Sequence, residues 1–305
     1  MNPSSNRYPL FRRRLDAFAA ELQGVEQGTV EARHRMRVAS RRLRELLPLL
    51  GLEREVTRKL NRRLRAVTQE LGPARELDVL LLVIRELQRD ARYSPAALKR
   101  LSTAVARAHG KACERLAARL PAAKLKRLVE KLNRAAKRVQ TDDDAASRRA
   151  GAGGPTKAWM WALDARIARR AARVRSTIDV AGVIYVPANM HEVRIALKKL
   201  RYAAELSKDA GRPIAADLAA LKAGQDLLGR LHDLEVLLRW GRAVQASVSP
   251  SDVALPRELG SLVLAVERDC RQLHARYMGD RAKLNALADR MGGPNFLVAD
   301  RRAAG

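Results

Sequence analysis

Cysteine is almost missing from this chain: Cys113 and Cys270 are the two in 305 residues. Neither has metal-type spacing to a partner, and two cysteines do not make a disulfide scaffold. Aromatic residues are 4% of the whole against a hydrophobic share of 47%. Ala and Leu must therefore fill the core, which favours closely packed helices over a β-sandwich. No run of about 18 apolar residues occurs, so no segment reads as a membrane span. The opening "MNPSSNRYPLFRRRLDAFAA" lacks an apolar stretch ahead of a cleavage site, so no signal peptide is expected and the chain reads as cytoplasmic. Acid is scarce as well: 33 Asp and Glu face 60 Lys and Arg, a formal net charge of +27. Such an excess works against a compact state by self-repulsion unless polyanions or counterions relieve it. The partner classes to weigh are nucleic acid, an anionic membrane surface and inorganic polyphosphate.

The positive charge is placed with order. In "HEVRIALKKLRY" (191–202), His191, Arg194, Lys198 and Arg201 recur at steps of three and four, which return to one face of a helix. Val193, Ala196, Leu200 and Ala203 form the apolar stripe behind them. Like charges at these spacings repel by a few tenths of a kcal/mol, roughly, per pair. A face needing only solubility would mix in acids; this one points to a negative partner lying along it.

The chain repeats itself. "HRMRVASRRLR" (34–44) lies over "HEVRIALKKLR" (191–201) with five of eleven positions identical, 157 residues apart. At the same offset "LGPARELDVLL" (71–81) meets "LGRLHDLEVLL" (228–238), and Cys113 meets Cys270. The pattern is a duplicated helical unit, about 8–140 and 158–290. The cysteines then read as small buried helix residues at equivalent places. The first copy is expected to be all helix, at 8–22, 31–50, 53–71, 74–92, 95–119 and 122–139. Gly72-Pro73 is expected to end one helix and open the next. That would put Glu76 and Asp78 in a first turn. Asn189 and Glu192 have capping-box spacing, which would place His191 in a first turn near free N–H groups. "TDDDAASRRAGAGGP" (141–155) reads as a flexible connector, "PSDVALP" (250–256) as a loop, and the tail from about Gly292 as frayed.

The paired signature H-x-x-R-x-A-x-[RK]-[RK]-L-R, each followed by L-G-x-x-x-[DE]-x-[DE]-V-L-L, resembles the CHAD family, the conserved histidine α-helical domain. The resemblance spans roughly residues 8 to 290. It implies an all-α fold of two repeat-related helical bundles of four-helix type, with pseudo-two-fold symmetry and a basic central channel or groove. It also implies binding of inorganic polyphosphate and association with polyphosphate granules. The namesake histidines map onto His34 and His191. The basic helix residues map onto Arg37, Arg41, Arg42 and Arg44, and onto Arg194, Lys198, Lys199 and Arg201. Two departures separate the copies: Ser40 stands opposite Leu197, and Arg75 opposite His232. The triphosphatase-type domain that some relatives carry has no counterpart here.

The chemistry agrees without the name. A polyphosphate binder needs a line of donors and no base readout, and Arg offers planar bidentate contacts to phosphate. Arg65, Lys222, Arg85, Arg242, Lys111 and Arg268 are further basic positions matched between the copies, some of them ordinary solvated surface. Among positive neighbours a His should be neutral in the empty site, free to donate to phosphate or to gain a proton when phosphate arrives. His109, His232 and His274 lack the pairing and read as structural or surface residues. Glu76, Asp78, Asp233 and Glu235 either hold the basic stripe extended or act as helix N-terminal acids; both readings stay open. Enzyme signatures fail: "HEVRI" lacks the second His of a zinc helix, and "GAGGPTK" lacks the glycine and the preceding strand of a phosphate loop. No catalytic residue, metal or cofactor is expected. A nucleic-acid-binding protein is the alternative, resting on net charge alone, and a polyphosphate-processing enzyme is the second.

Overall fold

The computed structural model describes residues 7–150, 156–248 and 254–293. Among them the secondary structure is helical, without a strand. The helices are α1 (Arg7–Ala19), α2 (Leu22–Glu26), α3 (Val30–Leu46), α4 (Arg54–Leu87), α5 (Pro95–Arg119), α6 (Ala122–Ala150), α7 (Thr156–Ala181), α8 (Pro187–Asp209), α9 (Ala215–Ala246) and α10 (Ala254–Gly292), with a 3₁₀ turn at Leu47–Leu49.

Local chemistry sets many of the ends. Ser94 caps α5 by accepting from the Ala97 N–H, and Pro95 supplies the preset φ of the first position. Gly211 follows α8 with φ +93°, and its N–H and that of Arg212 return to the Lys208 and Ser207 carbonyls.

α7 packs on α8, α8 on α9, α9 on α10, and α10 back on α7. In the first half α1 packs on α3, α3 on α4 and α4 on α5, while α6 returns to α1. One difference between the halves concerns helix continuity. The stretch equivalent to α5 and α6 is the single 39-residue helix α10. In the first half Leu120 leaves helical geometry ahead of Pro121, and the chain breaks there. Leucine fills the core, from Leu43, Leu46, Leu64 and Leu71 to Leu197, Leu200, Leu221 and Leu228, with Phe11, Phe18 and Tyr277 as the largest buried groups. Each buried leucine contributes about 1.5–3 kcal/mol.

Four sequence expectations need correction. Gly72-Pro73 does not separate two helices, because α4 runs through it. Leu71, Ala74 and Leu77 are buried on both sides of the proline, and their packing outweighs the lost hydrogen bond. Glu76 and Asp78 therefore lie deep within α4, not in a first turn. α8 starts at Pro187 after Val186, so Asn189 is already inside the helix and His191 lies beyond the first turn. Residues 141–150 of the expected connector continue α6; Asp143 there is buried and accepts from Arg7 Nε at 2.8 Å and from the Tyr8 N–H at 2.9 Å. Residues 151–155 lie outside the described residues, as do 250–253 of the expected loop, whose last residues open α10. The tail from 294 lies outside them too.

Candidate functional site

The two basic helices meet. α3 packs on α8, and α4 on α9 beside them. Lys198 lies at the centre of this contact, within electrostatic reach of Arg194 and Arg201 on its own helix and of Arg37 and Arg41 on α3. Burial and then these four cations push its amine down to about 6. Burial, then Arg41, pushes Arg37 down to about 10. Arg194 and Arg44 are lowered as well, in each case first by burial. The Nε atoms of Arg44 and Arg194 are buried donors without a hydrogen-bond partner. Guanidinium groups held together with donors unspent make a site for anions.

His34 stands exposed at the edge of α3, its imidazole lowered by desolvation and then by Arg75, Lys198 and Arg41. His191 is also lowered, by burial, His232 and Arg194. Its Nδ1 is 3.3 Å from Nδ1 of His232, with ring centroids 4.7 Å apart. A hydrogen bond between them needs one Nδ1 to donate and the other to accept. His232 thus supports His191 from α9, in keeping with a structural reading. At the equivalent place in the first half stands Arg75, within reach of Asp233 across the α4–α9 contact.

A glycine accompanies the stripe in each half. Arg37 Nη1 donates to the Thr68 carbonyl, and a Cβ on Gly72 would lie 3.1 Å from that nitrogen. Gly229, the repeat counterpart of Gly72, faces Arg194 Nε, with 4.0 Å to an added Cβ. The signal was in the sequence, since "LG" recurs at 71 and 228, but it reads as helix punctuation. Its local effect is room for an arginine.

The remaining candidates divide. Arg42 Nε donates to Glu205 Oε2 at 2.8 Å, joining α3 to α8. Arg201 Nη1 donates to Glu205 Oε1 at 2.6 Å and its Nε to Gln225 at 2.8 Å. Arg65 is exposed and within reach of Arg44. Lys199 is exposed on α8, and Lys222 is exposed and paired with Asp226. Arg85, Lys111 and Arg268 are exposed on α4, α5 and α10, and Arg242 on α9 pairs with Glu267 at 2.5 Å. These four are not gathered at the α3–α8 contact.

The acids divide too. Glu76 is within reach of Arg37, and Asp233 within reach of Arg194. Asp78 instead accepts from buried Arg33 at 2.7 Å and lies 2.8 Å from His109 Nε2, so its partners are not the stripe. Glu235 accepts from the Tyr185 hydroxyl at 2.9 Å. Cys113 Sγ lies 3.5 Å from the same His109 Nε2 that meets Asp78, an arrangement the sequence did not disclose. Cys113 Sγ also lies 3.9 Å from His109 Nδ1, and burial raises the thiol above its ordinary value, which works against a thiolate nucleophile. Cys270 is buried, whereas Cys113 is half-buried.

The family model of the CHAD domain matches residues 10–242. The chain belongs to the CHAD domain family. That family is associated in general with polyphosphate binding. The fold resembles the crystal structure of the CHAD domain from the plant Ricinus communis, at 23% identity and a TM-score of 0.60, covering 95% of this chain and 93% of that one. It also resembles PptA from Streptomyces chartreusis, at 17% identity and a TM-score of 0.62, covering 92% of this chain and 97% of that one. No curated protein sequence matches. Among the described residues no helix is long and apolar enough to cross a membrane.

Proposed function

We propose that this CHAD protein binds inorganic polyphosphate along the facing basic stripes of α3 and α8, without transforming it, as a targeting or scaffold module at polyphosphate granules. The observation that carries this reading is Lys198, with two arginines of each repeat around it. In this reading the helix circuits are two bundles related by a pseudo-two-fold axis that passes between α3 and α8, and the groove between them is the channel. His34, Arg37, Arg41 and Arg44 face the chain from one half, His191, Arg194, Lys198 and Arg201 from the other. Polyphosphate carries about one negative charge per phosphorus and no bases, so charge-assisted donors in line suffice. Each contact contributes about 1.5–3 kcal/mol at most, and salt screens much of the total. Engagement of the second stripe by a chain already held on the first is intramolecular, which multiplies the affinity.

The test is titration of polyphosphate of defined lengths, with duplex DNA alongside, over a salt range. Polyphosphate should displace DNA at far lower concentration than the reverse, and R194E/K198E should abolish binding while helicity is kept. Equal competition would favour the nucleic-acid reading. Phosphate release that depends on the protein and is lost with one site residue would favour an enzyme.

A further inference from the structure

Beside the α3–α8 contact a cavity of about 780 Å³ opens between α1, α3, α8 and α9. Arg42 and Arg201, one from each basic helix, line it together with His34. Two carboxylates of α8 each bridge a pair of arginines in the cavity. Glu205 holds Arg42 at 2.8 Å and Arg201 at 2.6 Å. Asp209, one turn further along α8, holds Arg13 at 2.9 Å and Arg14 at 2.6 Å. Arg14 is buried, and its Nε has no partner. The other end of the groove is different. Pro48 and Leu52 stand at the repeat positions of Glu205 and Asp209; the carboxylate beside Arg44 is Glu45, held by Arg166 and Arg170 at 2.8 and 3.1 Å, and Arg44 keeps an unpartnered Nε.

A carboxylate bridging two guanidinium groups makes the contacts a phosphate would make, with one charge in place of a row of them. Resting on the polyphosphate reading above, we propose that the cavity extends the polyanion site, and that Glu205 and Asp209 are internal competitors that occupy its arginines until phosphates of a longer chain displace them. Short chains fill the inner stripe and stop at Arg201. Longer chains reach the cavity and must replace Glu205, so the affinity gained per phosphate is smaller there. The groove thus has a direction: an open end at Arg44 and an occupied end at Glu205.

The test is E205Q, titrated with short and with long polyphosphate. Long chains should bind roughly tenfold tighter at low salt, and the salt slope should steepen by about one to two as freed arginines meet phosphates. Short chains should gain much less. Removing an acid anywhere near the site raises affinity a little by general electrostatics. E55Q, on the exposed first turn of α4, is the control and should move both lengths alike and weakly. E205Q, folded but binding long chains no more tightly, or gaining equally for both lengths, overturns the proposal. Should E205Q fail to fold, E205D withdraws the carboxylate by one methylene. It should shift long-chain affinity in the same direction by less, and no shift overturns the proposal equally. If the unmodified protein binds no polyphosphate, the functional reading itself has failed. If R194E/K198E abolishes binding and E205Q has no effect, this inference alone has failed.

Discussion

Arg33 in the first half and Met190 in the second occupy equivalent positions, as do Asp78 and Glu235, and His109 and Val266. In the first half they make a buried ion pair, with Arg33 and Asp78 2.7 Å apart and His109 against the carboxylate. In the second, Met190 and Val266 are buried apolar groups, and Glu235 takes its hydrogen bond from Tyr185. One backbone thus tolerates either solution at the foot of the basic helix. The requirement on these positions is to hold the helix, and the stripe above it is alike in both copies.

The contrast can be broken at its supports. D78N leaves Arg33 as a buried charge without its partner and should cost about 3–5 kcal/mol. E235Q should cost about 1 kcal/mol, the net worth of an ordinary hydrogen bond. Chemical denaturation of both variants checks this, and equal losses would refute the difference. Next in size is the pH dependence of the empty protein. Lys198 is held near 6 in the fold, against about 10.4 in an unfolded chain. Between those values the unfolded chain binds the extra proton, so stability should rise with pH across that window. His34 and His191, both lowered, add the same sign below the ordinary imidazole value. Melting curves from pH 6 to 9 should climb for the unmodified protein and flatten for K198M, which should also melt higher at pH 6.

The glycines sharpen the comparison further. G72A places a Cβ 3.1 Å from Arg37 Nη1, and G229A one 4.0 Å from Arg194 Nε. Alanine raises helix propensity by about 0.8–1.0 kcal/mol at either position. G72A should nonetheless weaken polyphosphate binding several-fold, roughly what one charge-assisted contact is worth after screening, while G229A changes it little. The smallest effect belongs to the periphery: neutralising Arg85, Lys111 and Arg268 together should weaken binding by less than about threefold in moderate salt, through long-range charge alone. A larger loss would mean that the site reaches beyond α3 and α8.

The stripes were legible because helical spacing writes a face directly into sequence, and the offset of 157 wrote it twice. The helix over 95–119 was legible for the same local reasons, a Ser-Pro start and a long apolar period. Local signals misled where packing overrode them. Gly72-Pro73 looks like a boundary, yet leucines on both sides keep α4 continuous. The polar run after 140 looks like a linker, yet Arg7, 136 residues away, binds Asp143. Glu205 gave no warning either. Its hold on Arg42 spans 163 residues and depends on how the halves meet.

The break at Leu120-Pro121 bears on how the molecule comes apart. α10, about 58 Å long at 1.5 Å per residue, contacts both α9 and α7, so opening either contact strains the other. Its counterpart is divided between α5, seated on α4, α9 and α10, and α6, seated mainly on α1. The first half should therefore be able to open at α6 while α5 stays in place. The second half has no such joint and should open as one cooperative unit, with amide exchange along α10 uniform and that of α6 faster than that of α5.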